Sequence, residues 1–130
     1  MKLLFLLLFI PFLNSPVRYR QLTWADYKGN PTNNHLASTC SGIVIEKDIA
    51  YAIFEPDRSW TRTNDPAVLR HEQVHFLITE YYARIINNVD RRIVNWYLDK
   101  WNELEERYDL DTDHGRNEKE QKVWEEMYKF

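Results

Sequence analysis

The pattern of hydrophobic and polar residues changes near residue 65. Before it, β-branched and aromatic runs at 43–45 and 49–54 flank the polar Glu46-Lys47-Asp48, which predicts a β-hairpin, and residues 22–24 predict a further strand. After it, apolar residues recur at helical spacing. Strands followed by helices predict an α+β fold with a small N-terminal antiparallel sheet.

The first predicted helix has a well-marked start. Asp65-Pro66 is typical of an N-cap followed by proline at the first helical position, and apolar residues at helical spacing continue for more than twenty residues. They predict a helix of roughly 66 to 88. A second helix is predicted over 93–108 and a third over 118–128, separated by a polar break at 108–115.

Composition and charge restrict the class of protein. The 130 residues are 44% hydrophobic and 15% aromatic, which suffices for one core but not for two domains. The net charge of −3, without a basic run, gives no support to nucleic-acid binding. Cys40 is the single cysteine, so an intramolecular disulfide is excluded.

The N-terminus has the pattern of a secretory signal. Lys2 is followed by an apolar stretch at 3–13, which is short for a membrane-spanning helix. The expected organisation is a signal segment at 1–15 and one domain at 16–130, in a secreted or periplasmic protein. The residues around 13–15 resemble a cleavage site only approximately, so an uncleaved anchor that would bring the protein to a membrane stays open.

The string His71-Glu72-Gln73-Val74-His75 lies inside the first predicted helix. Positions four apart share one helix face, so His71 and His75 can bind one metal ion. Glu72 lies about a third of a turn around the helix from His71. From there it can hold a water on the metal and act as general base. Histidines at this spacing also occur by chance. Here two of only four histidines have it, with Glu in the required place and in an independently predicted helix, which favours a Zn²⁺ site.

A catalytic zinc ion usually has three protein ligands, and the motif supplies two. His114 is the leading candidate for the third, because it lies in the polar break at 108–115. Asp111 and Asp113 are alternatives, or would orient His114. The acidic run at 103–106 is more typical of a solvated helix face. The remaining candidates are Glu103, Glu106 and His35.

A resemblance to a known family rests on three segments. They are Leu22-Thr23-Trp24-Ala25-Asp26-Tyr27-Lys28-Gly29, the motif His71-Glu72-Gln73-Val74-His75-Phe76 continuing to Ala83-Arg84, and Thr112-Asp113-His114-Gly115 with Gln121 and Trp124. Together they resemble a bacterial family catalogued as domain of unknown function 922 and regarded as secreted zinc-dependent proteases, over about residues 19–124. The resemblance implies a zincin-like peptidase with His71 and His75 as ligands and Glu72 as base, and it supports His114 as third ligand. Leu77 departs from the family pattern, which has an acidic residue there.

The expected function is that of a secreted zinc-dependent metallopeptidase acting on a peptide or protein substrate. The resemblance also implies that the substrate lies antiparallel to an edge strand beside the motif helix, bound through its backbone. Tyr108 and Tyr82 are candidates for stabilising the oxyanion. Two alternatives stay open, namely a zinc hydrolase of a non-protein amide or ester and a non-catalytic binding module on a zincin fold.

Overall fold

The computed structural model describes residues 13–129, and it places five short strands before three helices. The strands are β1 (Val17–Arg18), β2 (Ala37–Ser38), β3 (Ser41–Glu46), β4 (Ile49–Phe54) and β5 (Trp60–Thr61). The helices are α1 (Pro66–Ile86), α2 (Val94–Thr112) and α3 (Glu118–Tyr128). The predicted α+β class with a small N-terminal antiparallel sheet is therefore confirmed. The predicted signal segment falls almost wholly outside the described residues.

The predicted hairpin is formed by β3 and β4. Their antiparallel register runs from Ser41 opposite Phe54 to Glu46 opposite Ile49. The turn residues Lys47 and Asp48 both have positive φ, as the tight two-residue turns of hairpins require. β1 pairs with the other edge of β4, which gives the strand order β1-β4-β3.

A second, two-stranded sheet is formed by β2 and β5, which pair antiparallel with Ala37 opposite Thr61. The predicted strand at 22–24 is wrong. The backbone N–H of Leu22 donates to the side chain of Gln73 at 2.7 Å instead of to a neighbouring strand. The chain then forms a short 3₁₀ turn at Trp24–Asp26, because the carboxylate of Asp26 accepts from the Thr23 backbone.

The predicted start of α1 is confirmed by its cap. The side chain of Asp65 accepts a hydrogen bond from the backbone N–H of Ala67 at 2.8 Å, and Pro66 is the first helical residue. The helix ends at Ile86, two residues before the predicted end. Its buried residues include His71, Glu72 and Gln73, so the motif lies on an inward-facing part of the helix.

α1 lies at the centre of the fold, in contact with β3 and β4 and with α2 and α3. Trp101 and Tyr108 of α2 and Trp124 of α3 are buried in the same core as Phe54 and Phe76. Among the described residues, no helix combines the length and the apolar character needed to cross a membrane. The aromatic core holds α2 and α3 against α1, and this arrangement brings polar side chains of α2 to the motif.

Candidate metal centre

The two histidines of the motif point at the same place. Nε2 of His71 lies 3.0 Å from Oδ1 of Asp109, and Nε2 of His75 lies 2.9 Å from the same oxygen. The two imidazole rings are 5.0 Å apart between centroids and nearly perpendicular. Two ring nitrogens and one carboxylate oxygen, all electron-pair donors, thus converge on one point of a cavity of about 810 Å³.

The opposite ring nitrogens are held by other side chains. Nδ1 of His71 lies 3.0 Å from Oε1 of Gln121, whose amide nitrogen donates to Glu125 at 3.0 Å. Nδ1 of His75 lies 2.5 Å from Oε2 of Glu105. Both partner atoms are acceptors, so each Nδ1 carries the proton and donates it. An imidazole that donates through Nδ1 can bind a metal ion through Nε2 once Nε2 is deprotonated, and such outer partners are usual for metal-binding histidines.

The charges around His75 are strongly coupled. Burial alone would lower the pKa of His75, but the carboxylates of Glu105 and Asp109 raise it well above its ordinary value. Burial alone would raise the pKa of Asp109, but hydrogen bonding to His71 and His75 lowers it well below its usual range. A carboxylate that stays ionised beside two imidazoles requires a positive charge among them. Protons or a metal cation can supply that charge.

Glu72 completes the cluster from the side of α1. Its Oε2 lies 4.0 Å from Nε2 of His71, and its Oε1 accepts a hydrogen bond from Thr39 at 2.6 Å. One ligand atom each from His71, Glu72 and His75 can be chosen so that all lie within 4.8 Å of one another. The motif on α1 is therefore a possible metal-binding group.

The donor set fits zinc. Zinc binds imidazole nitrogen and carboxylate oxygen at about 2.0–2.2 Å, which puts neighbouring ligands of a tetrahedral site roughly 3.3 Å apart. The separations between Asp109 and the two imidazoles are a few tenths of an ångström shorter, so a small outward movement of the side chains would admit the ion. Two histidines and one carboxylate are a ligand set of catalytic zinc sites that leaves the fourth position open.

His114 lies at the mouth of the same cavity. Its Nδ1 is 3.8 Å from Oδ1 of Asp109, its side chain is 48% exposed, and its ring lies 5.2 Å from the ring of His35. All four histidines of the chain therefore line one cavity. Asp109 nevertheless stands closer to the two motif histidines. The role of His114 as third ligand stays a prediction.

The other acidic candidates have different surroundings. Asp111 forms an ion pair with Arg107 at 3.0 Å. Asp113 forms one with Arg116 at 2.9 Å, and hydrogen bonding to Arg116 lowers the pKa of Asp113. Glu103 is an exposed partner of Lys100. Of the predicted acidic alternatives, Glu106 is the one that lines the cavity, together with His35 among the imidazoles.

Tyr108 and Tyr82, the two candidates for stabilising the oxyanion, both make other contacts. Tyr108 is fully buried, its ring stacks on that of His71 at 4.6 Å, and its hydroxyl donates to the backbone carbonyl of His71 at 2.8 Å. Burial raises the pKa of Tyr82 to about 12, and its ring packs against Tyr81. Tyr108 thus packs against the ring of His71 and helps to hold its orientation.

Sequence reasoning missed Asp109 and Glu105. The sequence predicts a polar break at 108–115, but α2 continues to Thr112 and makes Asp109 helical. Glu105 belongs to the run at 103–106, which was expected to be a solvated face, yet this residue faces His75. A signal was present, because Glu105 and Asp109 are four residues apart and repeat on α2 the spacing of the two histidines on α1.

The chain has no match among protein-family models, curated proteins or solved structures.

Proposed function

We propose that this protein is a zinc-dependent hydrolase, and specifically a metallopeptidase that uses Glu72 as general base. One observation carries the proposal. The Nε2 atoms of His71 and His75 lie within 3.0 Å of one carboxylate oxygen of Asp109, while both Nδ1 atoms are held by other acceptors. This is the arrangement expected of a metal site with an oriented outer layer of side chains.

His71, His75 and Asp109 are the residues proposed to hold zinc, with Glu105 and Gln121 fixing the two imidazoles. His114 is the alternative third ligand. When bound, zinc acts as a Lewis acid towards a substrate carbonyl and increases the acidity of a water at the open position. The remaining steps are carried by groups of the chain.

In this proposal Glu72 transfers the proton. Its Oε1 is occupied by the hydroxyl of Thr39, which leaves Oε2 on the side of His71 to accept a proton from the attacking water. The same oxygen then delivers that proton to the departing amine, and the carboxylate returns to its starting state. Amide hydrolysis needs both transfers, and one carboxylate beside the metal suffices for them.

The cavity has a wall suited to an extended chain. β2 pairs with β5 on one side, while Ala37, Ser38 and the following Thr39 line the cavity. A peptide that adds along this strand would be bound mainly through backbone hydrogen bonds. The resemblance to the family of domain of unknown function 922, with its secreted zinc proteases, belongs to the same proposal, as does a secreted or periplasmic location.

The test compares metal content with turnover in purified protein. Zinc-replete wild type is expected to contain about one zinc per chain and to cleave a quenched fluorescent peptide pool, whereas His71→Ala and His75→Ala lose most of the metal. Glu72→Gln is expected to keep zinc and fold but to lose about 100- to 10,000-fold in kcat, because it removes the base and not a ligand.

A matched control for Glu72→Gln is Glu80→Gln. Glu80 lies on the same helix and forms an ion pair with Arg84 at 2.9 Å, so its loss removes the same charge away from the cavity. Absence of stoichiometric zinc from wild type would refute the metal site. Stoichiometric zinc with turnover of amide or ester probes but not of peptides would indicate a non-protein substrate, and zinc without any turnover would indicate a binding module.

A further inference from the structure

Thr39 makes a short hydrogen bond to Glu72. It lies in the two-residue link between β2 and β3, on the wall of the cavity that faces α1. Its Oγ1 is 2.6 Å from Oε1 of Glu72 and 2.9 Å from the hydroxyl of Tyr27. Tyr27, Thr39 and Glu72 are far apart in the sequence, and no helical or strand periodicity links them.

Hydrogen-bond directions in this chain follow from the chemistry of its ends. The hydroxyl of Thr39 donates to the carboxylate oxygen Oε1 of Glu72. Thr39 has a single hydroxyl proton, and Tyr27 must therefore donate to Thr39. Tyr27 is buried, and burial together with the nearby charge of Glu72 raises its pKa well above the ordinary value, which keeps the phenol protonated.

The backbone around Thr39 is fixed independently of Glu72. The N–H of Cys40 lies 2.9 Å from Oγ of Ser59, and the carbonyl of Cys40 accepts from the N–H of Glu55 at 2.9 Å. Ser59 is fully buried and donates in turn to the carbonyl of Glu55. The backbone next to Thr39 is thus held by hydrogen bonds that do not involve Glu72.

We propose that Thr39, supported by Tyr27, is a positioning residue that holds Oε1 of Glu72 and thereby keeps Oε2 turned towards the metal site. The inference rests on the proposed function, because it assigns a role to Thr39 only if Glu72 transfers protons. The two carboxylate oxygens then have separate tasks. Oε1 fixes the orientation, and Oε2, 4.0 Å from Nε2 of His71, exchanges the proton.

The central experiment replaces the hydroxyl while keeping the shape. Thr39→Val is expected to lower kcat on the quenched peptide pool by about 10- to 100-fold, the range seen when an outer hydrogen-bond partner of a metal site is removed. Bound zinc and KM should change less than about threefold, because Thr39 is not a proposed ligand and a peptide along this wall would be bound through backbone groups. Thr39→Ser restores the hydroxyl and should recover most of kcat. Tyr27→Phe should have a smaller effect, since Thr39 still donates.

Thr61→Val is the matched control. Thr61 lies in β5, and its hydroxyl donates to the carbonyl of Thr63 at 2.7 Å, so the same substitution removes a hydrogen bond of similar kind outside the cavity. Its kcat should equal that of wild type even if its melting temperature falls. A Thr39→Val/Glu72→Gln double variant should be no slower than Glu72→Gln alone, because Thr39 acts through Glu72.

A binding measurement gives a readout other than turnover. Acetohydroxamate chelates zinc and donates a hydrogen bond to a correctly placed carboxylate, so calorimetry should show about tenfold weaker binding to Thr39→Val and unchanged binding to Thr61→Val. Wild-type kcat and hydroxamate affinity in zinc-loaded Thr39→Val would overturn the role of Thr39 and leave the hydrolase intact. Failure of wild type to bind zinc or hydrolyse the peptides would instead overturn the proposed function.

Discussion

Replacement of Asp109 by alanine is the sharpest test of the metal centre. Oδ1 of Asp109 lies 2.9–3.0 Å from both motif imidazoles, whereas Nδ1 of His114 would have to move by about the 3.8 Å that separates it from this oxygen in order to take its place. In the proposed site Asp109→Ala therefore removes the third ligand, whereas His114→Ala removes a half-exposed group 3.8 Å from that ligand.

The expected magnitudes separate the two roles. Loss of an outer partner typically weakens metal binding by about 10- to 100-fold. Loss of one of three ligands should exceed that range, so Asp109→Ala is expected to weaken zinc binding by more than about 100-fold, equivalent to about 3 kcal/mol. His114→Ala is expected to weaken it by less than about tenfold. Glu105→Gln, which alters the partner of His75, should fall in the intermediate range.

Competition between the protein and a chelating dye at constant pH measures these affinities. Asp111→Ala is the matched control, because Asp111 lies on the same helix and carries the same charge but pairs with Arg107. Its zinc affinity should equal that of wild type. The reasoning is refuted if Asp109→Ala keeps its affinity within tenfold of wild type while His114→Ala loses 100-fold, and the loop histidine would then be the third ligand.

Two further predictions concern stability. Gly115→Ala should lower the free energy of unfolding in urea by about 1–3 kcal/mol and weaken zinc binding. The reason is that Gly115 has a φ of +89° and an added Cβ would lie 2.8 Å from Cβ of His71. An unchanged unfolding midpoint would contradict this prediction. In metal-free protein, Glu105 and Asp109 raise the pKa of His75 against the effect of burial. The stabilisation that the protonated His75 gains from these carboxylates is therefore complete below about pH 6.5. It is lost as the pH rises through the raised pKa of His75 in the folded state. The lowered pKa of Asp109 stabilises the folded protein above about pH 4, and this stabilisation is lost in stronger acid. The melting temperature of chelator-treated protein should therefore fall above about pH 6.5. Stabilisation by added zinc should grow in the same range, because the imidazoles must be deprotonated to bind the metal. A melting temperature that does not change with pH in either form would refute the link between these carboxylates and His75.

The parts of the fold with a long, repeated pattern were predictable. α1 combines a cap at Asp65 with more than five turns of apolar spacing, and the β3–β4 hairpin has six residues in each strand. β1, β2 and β5 have two residues each, too few for any periodicity to appear. Their positions depend on tertiary pairing, which joins β1 to β4 and β2 to β5.

The end of α2 is the part of the candidate site that local sequence patterns could not predict. The polar residues after Tyr108 predicted a break, because aspartate and glycine are common in turns. In the structure α2 continues for one more turn, since Tyr108 and Thr112 are buried four residues apart, and the chain leaves the helix through three consecutive residues with positive φ at 113–115. That sharp exit carries His114 to the rim of the cavity, while the extra turn brings Asp109 to its centre. Extending the predicted helix to Thr112 would have put Asp109 on its inward face, because Asp109 lies four residues after Glu105 and three before the buried Thr112.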